Sequence, residues 1–440
     1  MQKDLTKGNV LKTLFFFALP MVLTSLLQSV YSIVDMMIVG KNVGGTGVSG
    51  VNNASLMMNL MTQIAIGFTV GGNVLIGRYF GQNKKEISQK TAATLLIFSL
   101  SLGLVSGLFF HFFAEEIMKF IDAPALTEAT VYFRISALGM CFIFGYNALS
   151  AIFRGYGNSK VTLYFIACSA TTNIFLDLLL VSPFGVEGAA LATVISQGIS
   201  FLLALTYLLK HREEYGFGKE TFAFYPERAK EIFQVGFPMV LQWSIASISW
   251  LVVAFLVNQY GEDVSAGNGI SNKIKEFCQL FIAAFTGATG TMIAQNLGAK
   301  EIERAREVLK SCLKITLSVA VILITFVQLT APFLVSFFID EGEVALSAVT
   351  NLRIEILAQI FYAGFMSFHA LAVAAKHTYF VMGNSFLNCI IVRLFLALVL
   401  ESSMGITGVY LACMIAPSVS VPVGYWYYKS EKWIPKENQS

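Results

Sequence analysis

The chain has 440 residues, of which 56% are hydrophobic and only 13% are charged, and its formal net charge is +3. A soluble domain carries about a quarter charged residues, so a chain this long and this apolar cannot cover its own surface with polar groups. The small, dispersed positive charge excludes the basic patch that a nucleic-acid partner requires. The composition therefore predicts a protein whose surface contacts membrane lipid.

Twelve apolar stretches are long enough to cross a bilayer, which requires roughly 20 residues. The first stretch is too long for the core of a signal peptide and lacks a cleavage site after it, so we expect a retained membrane helix. In chain order, spans 1 to 12 are predicted at 11–40, 52–77, 89–113, 127–153, 161–182, 186–209, 232–260, 266–297, 311–338, 347–375, 378–400 and 404–428.

The first six spans and the last six are versions of each other. Pro20-Met21-Val22-Leu23 recurs unchanged as Pro238-Met239-Val240-Leu241, and Arg134 reappears as Arg353. Gly185, Gly188, Leu191, Ala192, Ile195 and Ser200 recur at one constant spacing as Gly405, Gly408, Leu411, Ala412, Ile415 and Ser420. An even number of spans gives both repeats the same orientation, related by a pseudo-two-fold axis along the membrane normal. The predicted fold is an all-α polytopic membrane protein of two six-helix repeats, an architecture typical of transporters.

Charge in the loops predicts the domain organisation and the orientation. Residues 1–212 form the predicted N-terminal lobe with spans 1–6, residues 213–230 a polar linker, and residues 231–440 the C-terminal lobe with spans 7–12. Most of the 30 Lys and Arg side chains fall in one set of loops, whereas the alternate loops are acidic, with Glu115, Glu116, Asp122, Glu262 and Asp263. Loops rich in Lys and Arg lie on the cytoplasmic side of a membrane protein. We therefore expect a multi-pass protein of the plasma (cytoplasmic) membrane with both termini and the linker in the cytoplasm.

Two acids lie inside predicted spans of the first repeat, Asp35 in span 1 and Asp177 in span 5. A carboxylate at such a position costs about 2.5–3.5 kcal/mol on insertion scales, which makes it a functional candidate. At 1.5 Å per residue, both acids lie about 9 Å below the outer end of their span, and Thr193 of span 6 lies about 10 Å below. Asn173 precedes Asp177 by one helical turn and shares its face. These four residues are predicted to meet at one level.

The four side chains suit a small cation. Carboxylate, amide carbonyl and hydroxyl oxygens are ligands for a hard ion such as Na⁺. Two neighbouring carboxylates also suit a proton, because both cannot ionise easily in a low-dielectric setting. The residues leave Na⁺ and H⁺ open as the coupling ion. The alternative interpretation is that these groups only hold neighbouring helices together by hydrogen bonds.

A proline lies in the middle of span 1, ahead of the acid on the same helix. Pro20 removes a backbone hydrogen bond and permits a kink, so it is a candidate hinge that couples ion binding to helix shape. A static kink is the alternative. Its repeat counterpart, Pro238, is followed by no acid within span 7, which places the predicted ion site in the first repeat.

Other polar and polarisable side chains are candidates for a substrate cavity. Methionine thioethers and buried acids suit flat, amphiphilic cations. Lys273, Lys275 and Arg393 lie in predicted spans of the second repeat and receive no role. The candidate cavity residues are Met36, Met57, Met61, Gln63, Glu276 and Glu355.

The sequence contains no pattern of an enzyme or of an ATP-driven pump. GxxxxGK[ST], HExxH and GxSxG do not occur, and the six cysteines show no metal-binding spacing. We therefore expect a transporter that is not an enzyme, has no cofactor and takes its energy from an ion gradient.

The combination of motifs resembles the multidrug and toxic compound extrusion (MATE) family over essentially the whole chain. Twelve spans in two repeats match that family. The matching motifs are Pro20 and Asp35 in span 1, Gly81-Gln82-Asn83 after span 2, Arg154-Gly155-x-Gly157 after span 4, Asn173-x₃-Asp177 in span 5, and Gly188-Ala189-Ala190-Leu191-Ala192-Thr193 in span 6.

The resemblance implies a V-shaped, monomeric antiporter of two lobes that exports cationic drugs in exchange for Na⁺ or H⁺ by alternating access. Asp35, Asn173, Asp177 and Thr193 match the first-lobe cation site of the DinF-like branch. Other branches place an essential acid in span 7, where this chain has none. The alternative function is that of a lipid-linked oligosaccharide flippase of the same superfamily, which would favour fourteen spans and a basic cavity.

Overall fold

A computed structural model of the chain describes residues 4–215, 217–218, 221–339 and 342–435. Within these ranges every regular element is a helix. The outermost ends of both predicted lobes and residues 216, 219 and 220 of the predicted linker lie outside the described residues.

The helices assemble into two compact units. Pro20–Val240 form the body of unit 1, and Thr6–Leu19 together with the residues from Leu241 onward form unit 2. Two helices therefore divide their residues between the units, and both change unit at or just after the prolines of the repeated Pro-Met-Val-Leu motif. The predicted lobe limits stay a prediction.

The first half of the chain forms nine helices, the last of which begins the second repeat. They are α1 Val10–Val43, α2 Gly45–Gly81, α3 Lys85–Phe112, α4 Ala114–Phe120, α5 Leu126–Leu138, α6 Met140–Gly155, α7 Lys160–Lys210, α8 Arg212–Tyr215 and α9 Pro226–Asn258.

The second half continues with eight α-helices and three short segments of other helical type. The α-helices are α10 Glu262–Gly298, α11 Ile302–Ser336, α12 Glu343–Glu355, α13 Gln359–Ala374, α14 Thr378–Phe386, α15 Arg393–Met404, α16 Ile406–Ile415 and α17 Ser420–Lys429. The 3₁₀ segments are Ile356–Ala358 and Ala416–Val419, and Leu387–Val392 is a π-helical segment between α14 and α15.

The described helices confirm the twelve predicted spans. Ten helical stretches are long and apolar enough to cross a membrane, and the pair α5 and α6, bent by 49°, supplies an eleventh. At 51 residues, α7 would be about 76 Å long if straight, more than twice the thickness of the hydrocarbon core. Non-helical dihedral angles at Gly185 divide it into 160–184 and 186–210, which gives the twelfth span.

The two repeats share an unusual backbone turn. Gly185 has φ 56° and ψ −131°, and Gly405 has φ 60° and ψ −142°, a region that side-chain-bearing residues rarely occupy. Three residues later, a Cβ on Gly188 would lie 2.1 Å from the Leu180 carbonyl oxygen. A Cβ on Gly408 would lie 2.2 Å from the equivalent oxygen of Leu400. The duplication seen in the sequence therefore extends to backbone geometry.

The turn at Gly185 folds α7 into an antiparallel hairpin. The hydroxyl of Ser169 donates to the carbonyl of Ser196 at 2.8 Å, and the rings of Phe165 and Tyr207 lie 5.8 Å apart. Both pairs join a residue before the turn to one after it, so the two arms lie side by side. Asp177 on the first arm and Thr193 on the second are each eight residues from Gly185, which places them at a similar level.

Replacement of the close-packed glycines tests the shared turn. Gly188→Ala and Gly408→Ala should each lower the melting temperature of the purified protein by several degrees, because overpacking against backbone costs about 1–3 kcal/mol. Gly383→Ala is the matched control, since its Cβ would meet open space within α14. Thermal unfolding in detergent measures the effect, and equal melting temperatures for all three variants would contradict the assignment.

Candidate functional site

The two predicted acids meet inside unit 1. Asp177 on the first arm of α7 is completely buried, and its carboxyl group interacts directly with that of Asp35 on α1. Both oxygens of Asp177 and Oδ1 of Asp35 are buried, and no hydrogen-bond donor among the described residues reaches them. Ionised carboxylates are acceptors only. Their contact is therefore favourable only when a proton or another cation lies between them.

Asn173 adds two more unsatisfied polar atoms one helical turn from Asp177. Its side chain is 2% exposed, and neither Oδ1 nor Nδ2 has a hydrogen-bond partner among the described residues. A buried polar atom left without a partner costs about 1–3 kcal/mol. Such a concentration of unpaired atoms in one place is unfavourable in a merely structural polar contact, and it suits a site that a ligand completes.

Thr193 is linked to the two acids by Tyr132, a residue that the sequence did not identify as a candidate. Tyr132 on α5 is buried, and its hydroxyl lies near the side chains of Thr193 and Ser55. The same hydroxyl interacts electrostatically with Asp35 and Asp177. The structure thus brings Asp35, Asp177 and Thr193 around Tyr132. Their role in ion binding stays a prediction.

A second tyrosine extends the polar environment along α1. Tyr31 lies one turn before Asp35, interacts electrostatically with it and lies near the side chain of Gln197 on the second arm of α7. Tyrosine is common in membrane helices, so neither Tyr31 nor Tyr132 differed in the sequence from an ordinary packing residue. Their position one turn or one helix from an acid becomes visible only in the fold.

The predicted cavity residues of unit 1 have mixed surroundings. Met36 and Met57 pack against a core cluster that joins α1, α2, α5 and α7, with Val39 and Phe133 among its buried members. Met61 and Gln63 are half-buried on α2. Packing against the core does not define a cavity, so substrate contact by these four side chains stays a prediction.

The two predicted cavity acids of unit 2 lie in different environments. Glu276 is exposed and pairs with Lys273, with 3.3 Å between Oε2 and Nζ. Glu355 is buried and forms an ion pair with Lys275, which is buried as well. The pairing of Glu355 explains how an acid and a lysine that the sequence could not assign are tolerated within membrane helices.

The donor set around Asp35 consists of oxygen ligands. Within the described residues, no group of three or more His, Cys, Asp or Glu side chains could hold a metal ion. Two carboxylates with an amide and hydroxyls suit a proton or a hard monovalent ion, and they offer none of the imidazole or thiolate ligands that transition metals prefer.

Comparison with known proteins identifies the family. The MatE family model matches residues 20–179 and 238–399, and each matched segment begins at the proline of the repeated motif. The chain belongs to the MatE family. The match covers the α1–α7 and α9–α15 regions, so it includes Asp35, Asn173 and Asp177 and ends before Thr193.

Relatives of this MatE chain include proteins of Bacillus subtilis and Staphylococcus haemolyticus. The chain is 27% identical over 438 residues to the probable multidrug resistance protein YoeA of Bacillus subtilis, covering 96% of this chain and 94% of that one. It is 30% identical over 301 residues to the probable multidrug resistance protein YpnP of the same organism, covering 67% of each. It is 25% identical over 421 residues to the multidrug export protein MepA of Staphylococcus haemolyticus, covering 94% and 92%.

Solved structures share the fold of this MatE chain. A crystal structure described as MATE in the straight conformation superimposes with a TM-score of 0.92 at 22% identity, covering 97% of both chains. One described as MATE in the bent conformation also gives 0.92 at 22% identity, covering 99% and 98%. At this identity the likeness establishes the fold alone.

Cation binding at the paired acids should stabilise the purified protein. A ligand that binds only the folded state adds about 2.7 kcal/mol at one hundred times its dissociation constant. The melting temperature of the wild type should therefore rise when Na⁺ replaces choline or when the pH is lowered. Asp177→Asn should abolish most of this rise.

The exposed Asp263 on α10 provides the matched control. Asp263→Asn changes the same chemical group outside the site and should leave the cation-dependent rise intact. An unchanged rise in Asp177→Asn would show that the stabilising cation binds elsewhere.

Proposed function

We propose that this chain is a secondary active antiporter that exports cationic, amphiphilic compounds in exchange for H⁺ or Na⁺ by alternating access. The contact between Asp35 and Asp177 carries the proposal. Asp177 is buried and Asp35 is half-buried, and no donor among the described residues reaches either oxygen of Asp177 or Oδ1 of Asp35, so a cation would complete the site. The names of the relatives, which describe multidrug resistance and multidrug export, support the substrate class. The plasma membrane, with both termini in the cytoplasm, is the proposed location.

Charge neutralisation supplies the coupling. Without a cation, Asp35 and Asp177 repel each other in a setting where their Coulomb energy is poorly screened. An entering ion removes this repulsion and allows α1 to close against α7. Closure changes the shape of unit 1 and releases a bound cationic substrate to the outside. One elementary charge crossing a potential of about 100 mV supplies about 2.3 kcal/mol for this cycle.

Pro20 is the proposed hinge. It lies inside α1, fifteen positions before Asp35, and it is the residue at which α1 enters unit 1. Proline leaves one carbonyl of the preceding turn without its helical donor, so bending there breaks fewer hydrogen bonds than elsewhere. The hydroxyl of Thr24 donates to the Pro20 carbonyl at 2.8 Å, a side-chain bond that also favours a bent helix.

Transport in reconstituted vesicles tests the coupling site. With an imposed Na⁺ or pH gradient, the wild type should export a cationic dye against its concentration gradient, and the effective gradient identifies the ion. Asp35→Asn and Asp177→Asn should each lower gradient-driven export at least tenfold, because each variant keeps only one carboxylate and so loses both half of the site's negative charge and the repulsion that the ion relieves. Retention of ion-driven export by both variants would reject the site.

Pro20→Ala tests the hinge separately from ion binding. The variant should lower the rate of dye export several-fold while keeping the cation-dependent rise in melting temperature, because the carboxylates are unchanged. Pro238→Ala is the matched control, since no acid follows Pro238 in α9. Equal export rates for Pro20→Ala and the wild type would show that the proline is a static feature.

A further inference from the structure

Unit 2 contains a buried cluster in which positive charge exceeds negative charge. Lys275 on α10 is paired with Glu355 at the end of α12, and its Nζ also lies 3.5 Å from Oδ1 of Asn351. Arg393, the first residue of α15, is 6% exposed, and no carboxylate of the described residues lies within ion-pair distance of it. Because Glu355 is already paired with Lys275, the charge of Arg393 stays uncompensated.

The guanidinium group of Arg393 is held in place but incompletely satisfied. Nη1 lies 3.4 Å from the hydroxyl of Ser249, and Nε is buried and meets no hydrogen-bond partner in the described part of the chain. The guanidinium carbon lies 4.5 Å from the ring centroid of Trp250, an orientation that positions the cation without neutralising it. A fixed, buried arginine with a free donor is an incomplete ion pair, which is costly inside a membrane protein unless a ligand completes it.

The backbone next to Arg393 is irregular. Leu387–Val392 is π-helical, and the carbonyl of Cys389 within it accepts a hydrogen bond from the hydroxyl of Ser249. Single π-helical turns are rare and occur often at functional sites, because they shift the side chains that follow. Here the shifted residue is Arg393 itself.

The internal repeat relates Arg393 and its neighbours to the predicted cation site of unit 1. Aligning Gly185 with Gly405 without gaps pairs the cation-site residues of unit 1 with residues of this cluster, and Arg134 with Arg353 extends the pairing. Nζ of Lys275 and the guanidinium carbon of Arg393 lie 5.7 Å and 4.5 Å from the ring centroid of Trp250, and Glu355 pairs with Lys275, so these residues surround one place. The resulting pairs are Asn173 with Arg393, Thr193 with Cys413, Asp177 with Ala397 and Tyr132 with Asn351.

Charge has therefore been inverted between the two copies of one site. The acid Asp177 is replaced by Ala397, and the repeated motif pairs Asp35 with Val253, so both carboxylates of unit 1 are lost. The amide of Asn173 is replaced by the guanidinium of Arg393. The copy in unit 1 carries negative side chains that favour a cation, whereas the copy in unit 2 carries a positive side chain that favours an anion.

We propose that Arg393, Lys275 and Trp250 form a binding site in unit 2 for the oxyanion group of a ligand, a carboxylate or a phosphate. The guanidinium fork suits two oxygens of one anion, and the indole provides an apolar face for the rest of the ligand. Trp250 is 37% exposed, so the edge of the cluster is reachable from outside the unit. The oxyanion belongs either to a zwitterionic or anionic solute or to a lipid headgroup.

Tryptophan fluorescence of the purified full-length protein tests the site without any gradient. Sodium benzoate is the probe. The signal is the fluorescence change of Trp250, obtained as the difference between the benzoate-induced change in the wild type and that in Trp250→Phe. The wild type should show a saturable change with benzoate and none with the neutral benzyl alcohol or with sodium chloride at equal ionic strength. Inorganic phosphate and nanodiscs containing phosphatidylglycerol instead of phosphatidylcholine distinguish a solute from a lipid headgroup.

Variants assign the effect to the guanidinium group. Arg393→Gln should weaken benzoate binding at least tenfold. Arg393→Lys should weaken it several-fold, because a lysine keeps the charge but not the two-pronged geometry. If Arg393→Gln does not fold, the Lys variant with the Trp250 signal carries the test. The exposed Arg353 on α12 is the matched control, and Arg353→Gln should bind as the wild type does.

The outcomes separate this proposal from the antiport proposal. Asp177→Asn should bind benzoate normally, because its site lies in the other unit. A response to phosphatidylglycerol alone identifies a lipid headgroup as the source of the oxyanion and supports the site. Equal responses to benzoate and benzyl alcohol, unchanged binding in Arg393→Gln, or no response to any of these probes would overturn it.

Discussion

Unpaired charge in a setting without water is the constraint on which the functional structure depends. A carboxylate within a membrane helix is tolerated when it is paired, and Glu355 meets that condition through Lys275. Asp35 and Asp177 do not, since each faces another acid. Such an arrangement is unfavourable by itself, so the surrounding helices must hold the two carboxyl groups in contact, and a bound cation would stabilise it.

The backbone geometry of α7 fixes the position of Asp177 in this arrangement. The turn at Gly185 and the close approach of Gly188 to Leu180 determine how the two arms of α7 are aligned, and hence which side chains share a level. A rigid hairpin on one side and a proline-containing helix on the other form an asymmetric pair. In the proposed mechanism, bending of α1 at Pro20 changes the distance between the acids.

The sequence predicted the spans, the repeat and the family, because each depends on apolar length and on recurring residues. It also placed Asp35, Asp177 and Thr193 at one level, since rise per residue measures depth directly. It did not reveal Tyr132 or Tyr31, because which face of a helix points at a neighbouring helix depends on packing that periodicity does not encode. The pairing of Lys275 with Glu355 was hidden for the same reason, as α10 and α12 are separated by a whole span.

Duplication explains why one fold carries two sites of opposite charge. Two copies of a six-helix unit place corresponding residues at corresponding positions, so that a substitution in one copy alone changes the charge there and leaves the other copy unchanged. Replacing both acids by Val253 and Ala397 removes the second cation site, and placing Arg393 at the position of Asn173 converts the remaining hollow to the opposite preference. The unaltered turns at Gly185 and Gly405 show that the backbone tolerated this exchange. A transporter built this way can hold a cation in one unit and the oxyanion of a ligand in the other, so that charge, rather than shape alone, decides which molecules it accepts.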